Sequence, residues 1–284
     1  MRIGDILKEK QTLSFEVFPP KLDQPLEPLI ETLDQLQECK PDFFSVTYGA
    51  GGTNKGRNNE ICSNILERGC NLISHFTCIG NSKEDIENGI KEFQDMGAEN
   101  ILALRGDLPE GWTGTGGYYK HGNDLIAAIH EMAPEMCIGG ACYPEKHIEA
   151  LDMETDIKWM KSKQDNGVEY FITQLCFDLE AFDRFRDTCD KSGITAPIVV
   201  GIMPVIFKNG LLRMTKQNGC NIPKDLMAIV DKYGDVPADF KKAGLEYTYK
   251  LVDEYRKRQV SGLHLYSLNK SETVLKIVKE LGLR

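Results

Sequence analysis

"LISHFTCIGNSKEDIENGIKEFQDMGAENILALRGD", residues 72–107, reads as strand, helix, strand. "LISHFTCIG" (72–80) and "NILALRGD" (100–107) are short apolar runs, each ending in polar or turn-forming residues, and both suit strands. Between them, in "KEDIENGIKEFQDM" (83–96), Ile86, Ile90 and Phe93 fall on one face at helical spacing.

The same alternation extends in both directions. Further strand candidates are 13–19, 43–49, 136–144, 170–178, 197–205 and 262–269. Helix candidates fill the gaps at 25–39, 57–68, 122–132, 152–166, 179–191, 238–258 and 271–281. Eight consecutive β-then-α units favour an α/β fold of the closed (β/α)8 TIM-barrel type, as a single domain over 1–284. The alternative is an open doubly wound sheet, but no G-x-G-x-x-G turn follows the first strand. "GWTGTGG" (111–117) is glycine-rich yet sits in an insertion after the fourth strand, and reads as a mobile loop. Residues 206–237 are irregular and are expected to form an extended loop and extra helices after strand seven.

The composition is that of an ordinary globular chain, with 41% hydrophobic and 27% charged residues. A net charge of −9 argues against nucleic acid or an anionic membrane as partner. The nine cysteines are scattered without a C-x-x-C pair, so metal-site spacing is missing and no metal is expected. Buried thiols in a reducing cytoplasm are the expectation. No apolar run approaches the ~20 residues that span a bilayer, and "MRIGDILKEK" lacks a signal-peptide core.

Barrels of this class keep their chemistry at the C-terminal ends of the strands. Those ends carry Glu16, then Thr47 and Tyr48, His75, Arg105-Gly106-Asp107, Tyr143, Gln174, and finally Tyr266, Asn269 and Lys270. Each has a structural reading: Glu16 could pair with Arg105 or Lys21, His75 could be a core histidine, and Asp107 could cap the next segment. Convergence on one rim favours a site. Glu16 is the sharpest case, a carboxyl inside "LSFEVFPPK" (13–21). Burial among Phe15, Val17 and Phe18 would raise its pKa and hold it neutral, provided no cation lies close by.

"FEVFPPK", "SVTYGAGG", "HFTCIG", "NILALRGD", "CYPEKHIEA", "FITQLCFD", "GIMPV" and "LYSLNK" occur in this order over nearly the whole chain. The ordered set resembles the catalytic barrel of the methylenetetrahydrofolate reductases, in the bacterial length without a regulatory domain. The resemblance implies a flavin, FAD before FMN, reduced by NADH or NADPH. It implies hydride transfer to 5,10-methylenetetrahydrofolate to give 5-methyltetrahydrofolate. By motif, Thr47, Tyr48, Ala50, His75, Arg105, Gly106, Asp107, Gly122, Tyr143, His147, Ala150, Asp156 and Lys163 would contact the flavin. Glu16, Thr47, Asp107, Gln174 and Lys270 would meet the folate, with Glu16 as catalytic acid and Asp107, ionised beside Arg105, steadying a cationic iminium. A homo-oligomer, or a partner electron-transfer subunit, is also implied.

The family pattern is departed from in three respects. Lys270 replaces an arginine and loses its bidentate fork for the folate tail. Trp159 and Ser162 stand where Asn and Arg hold the distal part of FAD. "VIFKNGLLRM" (205–214) matches the folate-side helix poorly, leaving its roles unassigned. The competing functions are a flavin-free pterin-binding methyltransferase barrel and a silent scaffold subunit of an electron-transfer complex.

Overall fold

The computed structural model describes residues 1–48, 55–108, 111 and 114–284. Its strands are β1 (Thr12–Val17), β2 (Phe43–Val46), β3 (Leu72–Thr77), β4 (Asn100–Leu104), β5 (Cys137–Cys142), β6 (Val168–Thr173), β7 (Ile198–Ile202) and β8 (Gly262–Tyr266). They pair in parallel and in sequence order, and β8 returns to β1 with Ser14 opposite His264 and Glu16 opposite Tyr266. The barrel is closed, as the alternation implied, and the doubly wound sheet is excluded.

The outer ring is α2 (Glu27–Gln37), α3 (Lys55–Glu67), α4 (Lys83–Met96), α5 (Gly122–Met132), α6 (Met153–Asp165), α7 (Leu179–Lys191), α10 (Pro237–Lys257) and α11 (Ser271–Glu280). The opening unit shows why these segments fold locally. Ser82 and Asp85 form a reciprocal capping box at the start of α4, and Gly97, at φ 79°, ends it in the left-handed region. Ile86, Ile90 and Phe93 are buried, and Phe93 meets Phe76 of β3 edge-on at 5.4 Å. Two helices, α8 (Lys208–Asn218) and α9 (Lys224–Tyr233), fill the irregular stretch after β7. One helix had no counterpart among the sequence candidates: α1 (Ile3–Glu9) precedes β1.

Strand alternation divides the interior in two. Phe15, Val17, Phe44, Val46 and Phe76 face outward into the layer shared with the helices. Phe43, Ile73, Leu102, Tyr170, Ile172 and Val199 face inward, and Ile3, Ile6 and Leu7 of α1 join them as a plug. Higher on the inner face the side chains turn polar: Ser14, Glu16, Ser45, His75, His264 and Tyr266. Tyr266 crosses the interior to donate to the Thr173 carbonyl at 3.1 Å, over Gly201, where a Cβ would collide with its hydroxyl.

Candidate active site

Glu16 sits next to last on β1, so its side chain points into the barrel while Phe15 and Val17 point away. Phe18, past the strand, is 43% exposed. The expected apolar jacket therefore belongs to the opposite face of the strand. Two imidazoles surround the carboxylate instead. Its Oε2 lies 3.6 Å from His75 Nε2 and 3.5 Å from His264 Nε2. His264 is fully buried and stacked on Phe43, with Nδ1 2.8 Å from Ser14 Oγ and Nε2 3.1 Å from Ser45 Oγ.

Burial drives the Glu16 pKa up, but the His264 hydrogen bond, the charges of His75 and His264 and the Ser45 hydroxyl outweigh it, and the carboxyl ends below its usual range. Burial also pushes His75 down, to about 4, against the pull of Glu16. At neutral pH His75 is then uncharged, so the hydrogen bonds from His264 and Ser45 are the part of the downward pull that does not depend on its charge. A carboxyl held neutral by apolar neighbours is not what the resting site contains. Neither Arg105 nor Lys21 pairs with it.

The remaining rim residues form two groups. Thr47 and Tyr48 follow β2; Thr47 N–H donates to the Val17 carbonyl at 3.0 Å, and Tyr48 packs edge-on to Phe76. Ala50 lies outside the described residues. Arg105, Gly106 and Asp107 follow β4. The Arg105 fork engages Glu149, at 2.5 and 2.9 Å, rather than its neighbour Asp107. Asp107 is exposed. Glycine is required at 106, where φ is 92° and a Cβ would strike Ile79. Gly122 opens α5 beside the Arg105 backbone. The β5–α6 connection and α6 itself gather five more: Tyr143 stacks edge-on to His147 at 4.7 Å, Asp156 of α6 accepts from His147 N–H at 2.7 Å, and Ala150 N–H donates to the His147 carbonyl. Lys163, its pKa lowered by burial, donates to the Ala141 carbonyl at 2.9 Å and lies 6.0 Å from the Tyr143 ring.

On the other side, Gln174 follows β6, and Lys270 caps α11 with its ammonium 5.6 Å from the Phe207 ring. Phe207 is half exposed at the start of α8, an aromatic that the poorly matching segment had left without a role. Asn269 holds the chain after Glu16, accepting from Phe18 N–H at 3.1 Å and donating to the Phe18 carbonyl at 2.8 Å. His264, Ser14 and Ser45 were absent from the sequence candidates. Their signal was available, since they share the inward parity of Glu16 once the strands are paired.

Part of the rim carries unmet hydrogen bonds, the test a flavin's donors and acceptors would have to meet. His75 Nε2, Thr77 Oγ1, Thr115 Oγ1 and Asn123 Oδ1 are buried without a hydrogen-bond partner among the described residues. They lie on β3, the β4–α5 connection and the start of α5, where a ring system rich in donors and acceptors would satisfy them. No group of three or more His, Cys, Asp or Glu among the described residues is arranged to hold a metal.

Residues 2–282 match the family model described as methylenetetrahydrofolate reductase. The chain is 34% identical to the 5,10-methylenetetrahydrofolate reductase of Pectobacterium carotovorum subsp. carotovorum, over 98% of this chain and 92% of that one. It is 33% identical to the Escherichia coli K12 enzyme of the same name, over 96% and 91%. Methylenetetrahydrofolate reductase (NADH) 1 of Arabidopsis thaliana is 31% identical over 99% of this chain and 50% of its own length. Among solved structures, a Clostridium thermocellum protein that binds two copies of 5-methyl-5,6,7,8-tetrahydrofolic acid shares the fold, at TM-score 0.72 and 14% identity, covering 99% of each chain. With a match running from end to end and relatives of this identity along nearly their whole length, the chain belongs to the methylenetetrahydrofolate reductase family.

Proposed function

We propose that the protein reduces 5,10-methylenetetrahydrofolate to 5-methyltetrahydrofolate, with Glu16 as general acid, FAD as resident flavin and NADH as electron donor. The family match and the NADH-named plant relative support the reaction and the donor. Thr47, Tyr48, His75, Arg105, Gly106, Asp107, Gly122, Tyr143, His147, Asp156 and Lys163 would hold the flavin, whose chemistry is to accept and pass on hydride. Gln174 and Lys270 face the folate side, where Lys270 suits the anionic tail. The free thiols, mostly buried, suit a reducing cytoplasm.

The observation that carries the reading is the Glu16 carboxylate between His75 and His264 at the mouth of the barrel. The substrate's one-carbon unit bridges two nitrogens in a closed ring that hydride attacks poorly. Protonating one nitrogen opens the ring to an iminium ion. Glu16 is anionic at rest, so it must first take up a proton. Substrate seated over Glu16 would remove water from the carboxylate and raise its pKa, while the His264 imidazole, braced by Ser14 and Ser45, stays oriented toward it. Asp107, a carboxylate at the rim, would stabilise the cation that results.

Glu16→Gln tests this directly. The folate half-reaction should slow by at least about 100-fold, while flavin binding and reduction by NADH remain near wild type. Equal loss in both half-reactions would assign Glu16 a structural role. A purified protein that takes up neither FAD nor FMN would favour the flavin-free methyltransferase reading.

A further inference from the structure

We propose that Asn218 is a positioning residue that fixes which way round the Gln174 carboxamide stands, and so which hydrogen-bonding edge of a pterin the site accepts. This rests on the reading that Gln174 holds the folate. A carboxamide has an acceptor at one end and a donor at the other, and its terminal torsion is soft. Left free, Gln174 would present either edge.

Two bonds remove that freedom. Gln174 Oε1 accepts from the Leu175 N–H at 2.8 Å, and Gln174 Nε2 donates to Asn218 Oδ1 at 2.9 Å. Asn218 cannot turn in response, because its own Nδ2 donates to the Met214 carbonyl one turn back along α8, at 2.9 Å. Flipping Gln174 would set its amino group against the Leu175 N–H and its oxygen against Asn218 Oδ1, two repulsive contacts in place of two bonds. Flipping Asn218 would do the same at Met214.

The turn that carries Asn218 is itself anchored to the loop that carries Gln174. Gly219, at φ 66°, reverses the chain after α8. Cys220 Sγ then donates to the Leu175 carbonyl at 3.2 Å, and the Asn221 N–H donates to Glu145 Oε1 at 2.9 Å. Gln174 itself is tied to β5 through its N–H and the Cys142 carbonyl at 2.8 Å. With these bonds made, the carboxamide has one N–H and one oxygen lone pair to spare. That pair matches a ring edge offering an acceptor next to a donor, as an N–H beside a ring carbonyl or an amino group beside a ring nitrogen does. Asn218 touches no reacting atom; it acts through Gln174.

The test is a double-mutant cycle on the holoenzyme, reading the folate and NADH half-reactions separately. Asn218→Ala should raise the folate KM about three- to tenfold, the range of one lost neutral hydrogen bond, and leave flavin reduction by NADH unchanged. Asn218→Asp keeps the acceptor toward Gln174 but sets an oxygen against the Met214 carbonyl, so it should recover only part of that loss. Placed on Gln174→Ala, the Asn218→Ala change should add less than about twofold, because the group it orients is gone. An unchanged folate KM in Asn218→Ala, beside an impaired Gln174→Ala, would overturn the proposal alone. So would full additivity of the two changes, which marks a general structural role. An inert Gln174→Ala would overturn the folate reading of Gln174 and the positioning role with it.

Discussion

Glu16 meets two opposing demands at one side chain. As a resting anion it is stabilised by hydrogen bonds from His264 and Ser45; in the acid role proposed for it, it must hold a proton when substrate is bound. Binding has to move its pKa upward, and a group whose pKa rises through the ambient pH takes up a proton. Titrating the protein at pH 7 with FAD and then with a folate should therefore show net uptake approaching one proton. Calorimetry in two buffers of different ionisation enthalpy reads this as a slope. The uptake should shrink below the ordinary carboxylate range, where Glu16 is protonated beforehand, and should vanish in Glu16→Gln. Zero uptake by the wild-type protein at pH 7 would mean that the proton comes from elsewhere.

Among the elements, the strands decide most of what the site can be. Tyr266 reaches across the barrel only because Gly201 on β7 has no side chain: a Cβ there would strike both the tyrosine hydroxyl and the Thr173 carbonyl. Gly201→Ala should cost about 1–3 kcal/mol in urea unfolding, and Tyr266→Phe should restore only part of it, since the backbone carbonyl stays. Full restoration would show that the hydroxyl alone sets the constraint. The order and number of strands were legible from apolar runs alternating with amphipathic segments, because each run must be buried on both sides. The facing of individual residues was less so. Phe15 and Val17 look like neighbours of Glu16 in sequence, but the two-residue period of a strand sends them to the other side. His264 became visible only through the β8–β1 register. The Arg105–Glu149 pair and the Asn218–Gln174 pair join residues more than 40 positions apart, and no local pattern encodes which loops meet.

For the whole molecule, the barrel separates stability from chemistry along its axis. The upper interior is polar, whereas the lower interior is apolar and stoppered by α1 through Ile3, Ile6 and Leu7, all buried. Asn100 secures the stopper, accepting from the Ile3 N–H at 2.7 Å and donating to the Met1 and Leu72 carbonyls. Strands that run uninterrupted from one end to the other transmit the plug's support to the rim without placing any plug residue in the site. Ile3→Ala removes a fully buried side chain and leaves a cavity at the foot of β4 and β5, which should destabilise the fold by about 2–4 kcal/mol. The folded fraction should keep the wild-type folate KM and flavin reduction rate, since Glu16, Gln174 and the loops proposed to hold the flavin sit at the opposite end. A shift in folate KM at a temperature well below the unfolding transition would show instead that packing at the base sets the geometry at the mouth.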